Sequence, residues 1–107
     1  MAIKSNTIRG AVTTTTATDI LNNTDPLNSY YIGQIDIINK STTENTVEII
    51  ILSGGTEYLL LKSTVDRDGS RVTDERKIPY ELKPGEKLQA KLKTANTTGM
   101  IIHISYI

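Results

Sequence analysis

The strongest constraint on this chain is the alternation of apolar and polar side chains over residues 81–107, ELKPGEKLQAKLKTANTTGMIIHISYI. Leu88, Ala90 and Leu92 alternate with Lys87, Gln89, Lys91 and Lys93. After the polar stretch TANTTG, Met100, Ile102, Ile104 and Tyr106 alternate with Ile101, His103 and Ser105. A period of two is that of a half-buried strand and cannot place one apolar face on a helix. Pro84-Gly85 supplies a turn before the first of these strands. The short polar loop predicts that the two strands form an antiparallel hairpin, with the last strand tied into a sheet.

The same logic runs along the rest of the chain. Residues 1–7 show no period and are expected to form a flexible or partner-ordered arm. Residues 8–16, IRGAVTTTT, read as an edge strand, and residues 17–23, ATDILNN, as the one helical turn, with Thr18 as N-cap. In residues 29–39, SYYIGQIDIIN, the alternation puts Tyr31, Gly33, Ile35 and Ile37 on one face and Gln34 and Asp36 on the other. Gly33 marks a bulge or a close approach of backbone there. Residues 46–53, TVEIIILS, are apolar almost throughout, which predicts a central strand covered on both sides. Gly54-Gly55 then turns the chain into residues 56–62, TEYLLLK, as a second hairpin. The charged residues 63–77 read as a loop with a short strand near residues 70–73, and Pro79 assigns residues 78–82 to an edge or a strand entrance.

With 107 residues there is room for one domain and a modest core. β-branched residues dominate the apolar set, Phe and Trp are absent, and the five aromatics are all Tyr. The expected fold is therefore all-β: one antiparallel β-sandwich over residues 8–107 of about seven or eight strands, immunoglobulin-like or jelly-roll, with little helix. Twelve basic and twelve acidic side chains leave no basic surplus for a nucleic-acid partner. Without cysteine there is neither a disulfide framework nor a thiolate metal site. No apolar run approaches the ~20 residues that span a bilayer, and MAIKSNTIRG lacks the apolar core of a secretion signal.

No residue pattern points to catalysis. His103 is the single histidine, and alternation assigns it to a surface or sheet interface rather than a metal cluster or triad. Asp66-Arg67-Asp68-Gly69-Ser70 resembles the start of a calcium loop, but the glycine comes fourth instead of sixth and Lys77 stands where the twelfth-position glutamate belongs. Asp74, Glu75 and Glu81 could pair for glycoside hydrolysis, yet Arg71, Arg76 and Lys77 lie among them and favour a solvated charged loop. The glycines form no phosphate-binding loop. Tyr30, Tyr31 and Tyr58 are candidate stacking platforms, with strand packing as the plainer role. Asn22, Asn39 and Asn96 head N-x-[ST] triplets that carry no weight without a secretion signal. No cofactor or metal is expected.

Taken whole, the chain resembles small β-sandwich virion proteins of tailed bacteriophages, of the head-decoration, neck or tail-accessory type. The likeness rests on the Thr-rich start VTTTT, the strand YIGQIDIIN, the apolar strand and Gly turn of residues 47–58, LKPGEKLQA, and the closing ISYI. It implies a non-enzymatic subunit that makes repetitive contacts with its own copies and with capsid, portal, neck or tail proteins. It also implies a chain made in the host bacterial cytoplasm and carried in the virion, without nucleic-acid or membrane partners. Contacts are expected from Ile3, Ile8 and Arg9, in an arm over residues 1–16 exchanged between copies, and from Arg67, Arg71 and Arg76 in the charged loop. The alternative is a carbohydrate-binding or adhesin-like sandwich module with a Tyr-lined site, against which the absence of Trp counts.

Overall fold

The computed structural model describes residues 6–107, so residues 1–5 of the expected arm, Ile3 among them, lie outside the described residues. These residues form eight strands and no helix: β1 (Asn6–Val12), β2 (Thr18–Asn22), β3 (Tyr30–Asn39), β4 (Asn45–Ser53), β5 (Thr56–Val65), β6 (Ser70–Leu82), β7 (Lys87–Leu92) and β8 (Met100–Tyr106). Two antiparallel sheets of four strands face each other, in the orders β1-β8-β3-β6 and β2-β7-β4-β5. That order is the jelly roll, not the ABED/CFG division of an immunoglobulin fold. Asn6 and Thr7, expected in the arm, pair with Tyr106 and Ser105 in the first ladder.

The core is the seam between the sheets. Ile32, Ile35 and Ile37 of β3 and Ile102 and Ile104 of β8 are fully buried against Val47 and Ile49 of β4 and Leu88 and Ala90 of β7. At ~25 cal/mol per Å² of apolar surface removed from water, this layer is the dominant stabilising term. β4 lies between β5 and β7, as its nearly unbroken apolar run predicts. It is not covered on both sides, however, since Thr46 and Glu48 line a groove on the outer face of its sheet. Gly54 and Gly55, both at positive φ (56° and 81°), close the β4–β5 hairpin. A two-residue turn of that conformation matches the twist of the strands it joins.

Several expectations fail for identifiable reasons. The closing strands β7 and β8 are not a hairpin; they sit in opposite sheets, and their apolar faces meet across the core. The loop between them crosses the sandwich, pinned by Asn96 N–H to the Thr13 carbonyl (3.0 Å) and by the Asn45 side chain to the Thr94 carbonyl (2.8 Å). Residues 17–23 are not helical: β2 pairs with β7, and Ile20 is the extra residue of a bulge, so that Ile20 and Leu21 are both buried. β1 stops at Val12, and the threonines that follow form a loop whose Thr14 carbonyl accepts Leu92 N–H (2.9 Å). The charged region is mostly strand, because β5 runs on to Val65 and β6 starts at Ser70, leaving residues 66–69 as the turn. Pro79 does lie on an edge strand, β6.

Gly33 sits at the bulge expected of it. Opposite this one glycine, β6 inserts residues 76–79 between the pairs Ile32–Tyr80 and Gln34–Glu75. The shift changes the phase of β3, so Ile32 is buried while Tyr31, expected on the inner face, is about half exposed (46%).

Candidate interaction site

The outer face of the β1-β8-β3-β6 sheet carries a polar row. By register Arg9 faces His103, His103 faces Asp36, and Asp36 faces Thr73. Asp36 is almost fully covered, yet its carboxylate is saturated by Thr73 Oγ1 (2.6 Å), Arg71 Nη2 (2.9 Å) and Gln34 Nε2 (3.2 Å). Burial alone would raise its pKa. The hydrogen bonds from Thr73, Arg71 and Gln34, with the Arg71 charge, outweigh that and hold the carboxyl below the ordinary aspartate value.

Beside this row the double bulge opens a cleft of about 340 Å³, lined by Tyr31, Gly33, Gln34, Glu75, Arg76, Pro79, Ser105, Tyr106 and Ile107. Its size lies at the lower end of small-molecule sites. Arg76 is fixed over the Tyr80 ring, 4.1 Å from the centroid, and bonds Asp74 (3.2 Å). Tyr106 packs on Tyr30 with ring centroids 5.2 Å apart. The cleft thus offers one exposed aromatic ring, a fixed guanidinium and several hydrogen-bonding groups.

The outer face of the other sheet holds a groove of about 580 Å³ between Glu48, Lys62, Lys91 and Lys93 and the hydroxyls of Thr15, Thr46 and Thr64. Lys91 reaches Glu57 at 3.8 Å. This sheet ends at β5, a ten-residue edge strand without Pro or Gly, on which Tyr58 and Leu59 are more than half exposed (58% and 61%). Long apolar edges of this kind are templates for pairing with another strand. The edge strand β6 of the other sheet is blunted by its bulge, by Pro79 and by the charges of residues 74–77.

The structure scatters the residues expected to touch partners. Ile8 packs against the core margin, whereas Arg9 lies on the outer face opposite His103. Arg67 is in the β5–β6 turn beside Asp68 (3.5 Å). Arg71 and Arg76 are on β6 rather than in a loop, each held by an aspartate. Of the carboxylates considered for hydrolysis, Asp74 bonds Arg76 and Glu81 accepts from Ser29 Oγ (2.7 Å), while Glu75 lines the cleft. Asn39 is fully buried, donating to the Thr43 and Val65 carbonyls (2.9 and 3.1 Å), so its amide is committed to the fold. The cleft escaped sequence reasoning because it depends on two bulges facing one another. Gly33 was its one local signal.

No protein-family model and no curated protein sequence matches the chain. Among solved structures it is similar to PirA, with a TM-score of 0.56, 13% identity, and coverage of 100% of this chain and 96% of the other. It is also similar to the family 32 carbohydrate-binding module of C. perfringens NanJ, solved in complex with galactose, with a TM-score of 0.52 and 12% identity, covering 94% and 93% of the two chains. At these identities the likeness is one of fold: the chain is a β-sandwich module.

Proposed function

We propose that this chain is a non-enzymatic β-sandwich module that acts through surface contacts, and that its place is the particle of a tailed bacteriophage, as a capsid-decoration, neck or tail-accessory subunit. The observation that carries the reading is the open edge of β5, ten residues long with an exposed apolar centre. A buried strand ladder is the interaction such an edge offers, and it needs no pocket chemistry. The jelly-roll order is one that capsid domains use, a fold-level analogy that adds to the sequence resemblance. The test is quantitative mass spectrometry of purified particles from the lysate in which the chain is made. A fixed stoichiometry to the major capsid or tail protein is expected. Loss of the chain on purification rejects the virion assignment.

The cleft favours a second reading, a carbohydrate-binding module. Tyr31 offers a ring face to a sugar's C–H side, while Gln34, Glu75, Arg76 and Ser105 offer partners to its hydroxyls. The galactose held by the NanJ module makes galactose the first sugar to try. Titration by NMR against galactose and a glycan array decides it: binding lost in Tyr31→Ala and Arg76→Ala supports the reading, and no binding at millimolar sugar removes it.

A further inference from the structure

We infer that the β5 edge is the binding site for a second copy of this chain, and that the two β5 strands pair antiparallel about a two-fold axis between Leu59 and Leu60. This rests on the assembly reading and specifies its partner and register. The argument starts from the pattern Thr56-Glu57-Tyr58-Leu59-Leu60-Leu61-Lys62-Ser63. About that axis Glu57 meets Lys62 of the second copy, Tyr58 meets Leu61, and Leu59 meets Leu60. Each contact occurs twice, as an isologous interface requires. Acid meets base at both ends, the apolar residues meet in the middle, and the small hydroxyl residues Thr56 and Ser63 close the ladder.

The faces agree as well. In a regular strand, residues five apart such as Glu57 and Lys62 point to opposite faces and could not be cross-strand partners. Here they pair with Leu52 and Glu48, which are four apart on β4 and share a face. Leu60 is the extra residue of a bulge, since Ile49 pairs with Leu61 and Ile50 with Leu59. The bulge thus brings Glu57 and Lys62 to the same side, the outer face that Lys62 and Lys91 line. By the same register Tyr58 and Leu61, partners of Ile51 and Ile49, share the other side, Leu61 packed against the core and Tyr58 58% exposed. A two-fold axis at the bulge therefore pairs like face with like face on either side of it. Only at the axis do unlike faces meet, where Leu59, partner of Ile50 on the outer face, lies opposite the bulge residue Leu60, which packs against the core.

The other three edges fit such pairing less well. β2 has five residues, β6 is interrupted by its bulge and Pro79, and β1 is seven residues long with Gly10 within it. Pairing through β5 would join two four-stranded sheets into one of eight, a size open sheets reach when twisted. The bulge at Leu60 increases that local twist.

The test uses charge reversal and sedimentation equilibrium, with circular dichroism to confirm folding of each variant. The unmodified chain is expected to dimerise. Glu57→Lys and Lys62→Glu each set like charges opposite one another twice per dimer, and each weakens dimerisation by about tenfold or more. Mixing the two single variants restores complementarity at both contacts, so a heterodimer forms where neither variant alone associates well. Heterodimer formation with weakened homodimers establishes the register. Unchanged dimerisation in the single variants, or no association in the mixture, overturns it. A monomeric unmodified chain also overturns the proposal and assigns the edge to a different protein's strand. The virion assignment is judged separately, by whether the chain is present in purified particles.

Discussion

Asp36 should contribute stability whose pH dependence is set by its surroundings. The carboxylate is 7% exposed, whereas the Arg71 side chain that binds it is 56% exposed. Removing the carboxylate in Asp36→Ala strands Thr73 Oγ1 and Gln34 Nε2 but lets Arg71 rehydrate. The loss should therefore fall below that of breaking a fully buried pair, at about 2–3 kcal/mol. For a domain of this size that is a fall of roughly 10–20 °C in Tm. Asp36→Asn should cost less, about 1 kcal/mol. A flipped amide can donate to Thr73, whose hydroxyl also accepts, while its oxygen still accepts from Arg71 and Gln34. The folded pKa lies below the reference value of 3.8. The charge contribution is therefore complete above the unfolded pKa and disappears as pH falls through the folded one. Urea unfolding followed by circular dichroism from about pH 7 to about pH 2.5 measures this. The gap between the unmodified chain and Asp36→Asn should hold at neutral pH, shrink below about pH 4 and close at the acid end. The gap to Asp36→Ala should narrow without closing, because a protonated carboxyl still fills the site. An Asn gap that does not change with pH, or is absent at neutrality, refutes the reasoning.

Other substitutions test the packing. Gly99 has φ +67°, and a Cβ there would press on the Val12 carbonyl oxygen. Gly99→Ala should cost roughly 2–4 kcal/mol in a urea melt. Gly10→Ala meets only the end of the Ile20 side chain (2.8 Å), which can rotate away, and should cost about 1 kcal/mol or less. Asn39 makes four hydrogen bonds from a fully buried position, its Oδ1 accepting from Ser41 N–H and Oγ. Asn39→Ala should lower stability by about 2–4 kcal/mol and raise hydrogen exchange at the Ser41 N–H, which donates to Asn39 Oδ1. The Tyr80 hydroxyl is buried without a partner among the described residues, so Tyr80→Phe should be as stable as the unmodified chain or more so, by up to about 1 kcal/mol.

The elements that sequence reasoning found and missed differ in a definite way. β7 and β8 have apolar residues on a regular two-residue period, β3 keeps that period beyond its bulge, β4 is apolar almost throughout, and each appears close to its expected limits. β2 was misread because its bulge puts Ile20 and Leu21 side by side, and adjacent apolar residues imitate a helical face. β6 was misread because an edge strand buries few side chains, leaving its charges to resemble those of a loop. The Asp36–Arg71 contact was invisible for a different reason. The partners are 35 residues apart, and only the β3–β6 ladder brings them together.

By itself the sequence determined that this chain is built of strands, where most of them run, and that Gly54-Gly55 joins two of them directly. Those properties are local: a period of two and a φ preference act over a few residues. Only the tertiary structure decided which strands are neighbours. Leu88 and Ile102 alternate identically whether their strands share a sheet or face each other across the core, because the alternation records which side chains leave water but not what they meet. The choice of a jelly roll over a hairpin wall, the cleft at Gly33 and the open β5 edge all follow from those long-range pairings, where burial of both sheets' apolar faces is optimised together.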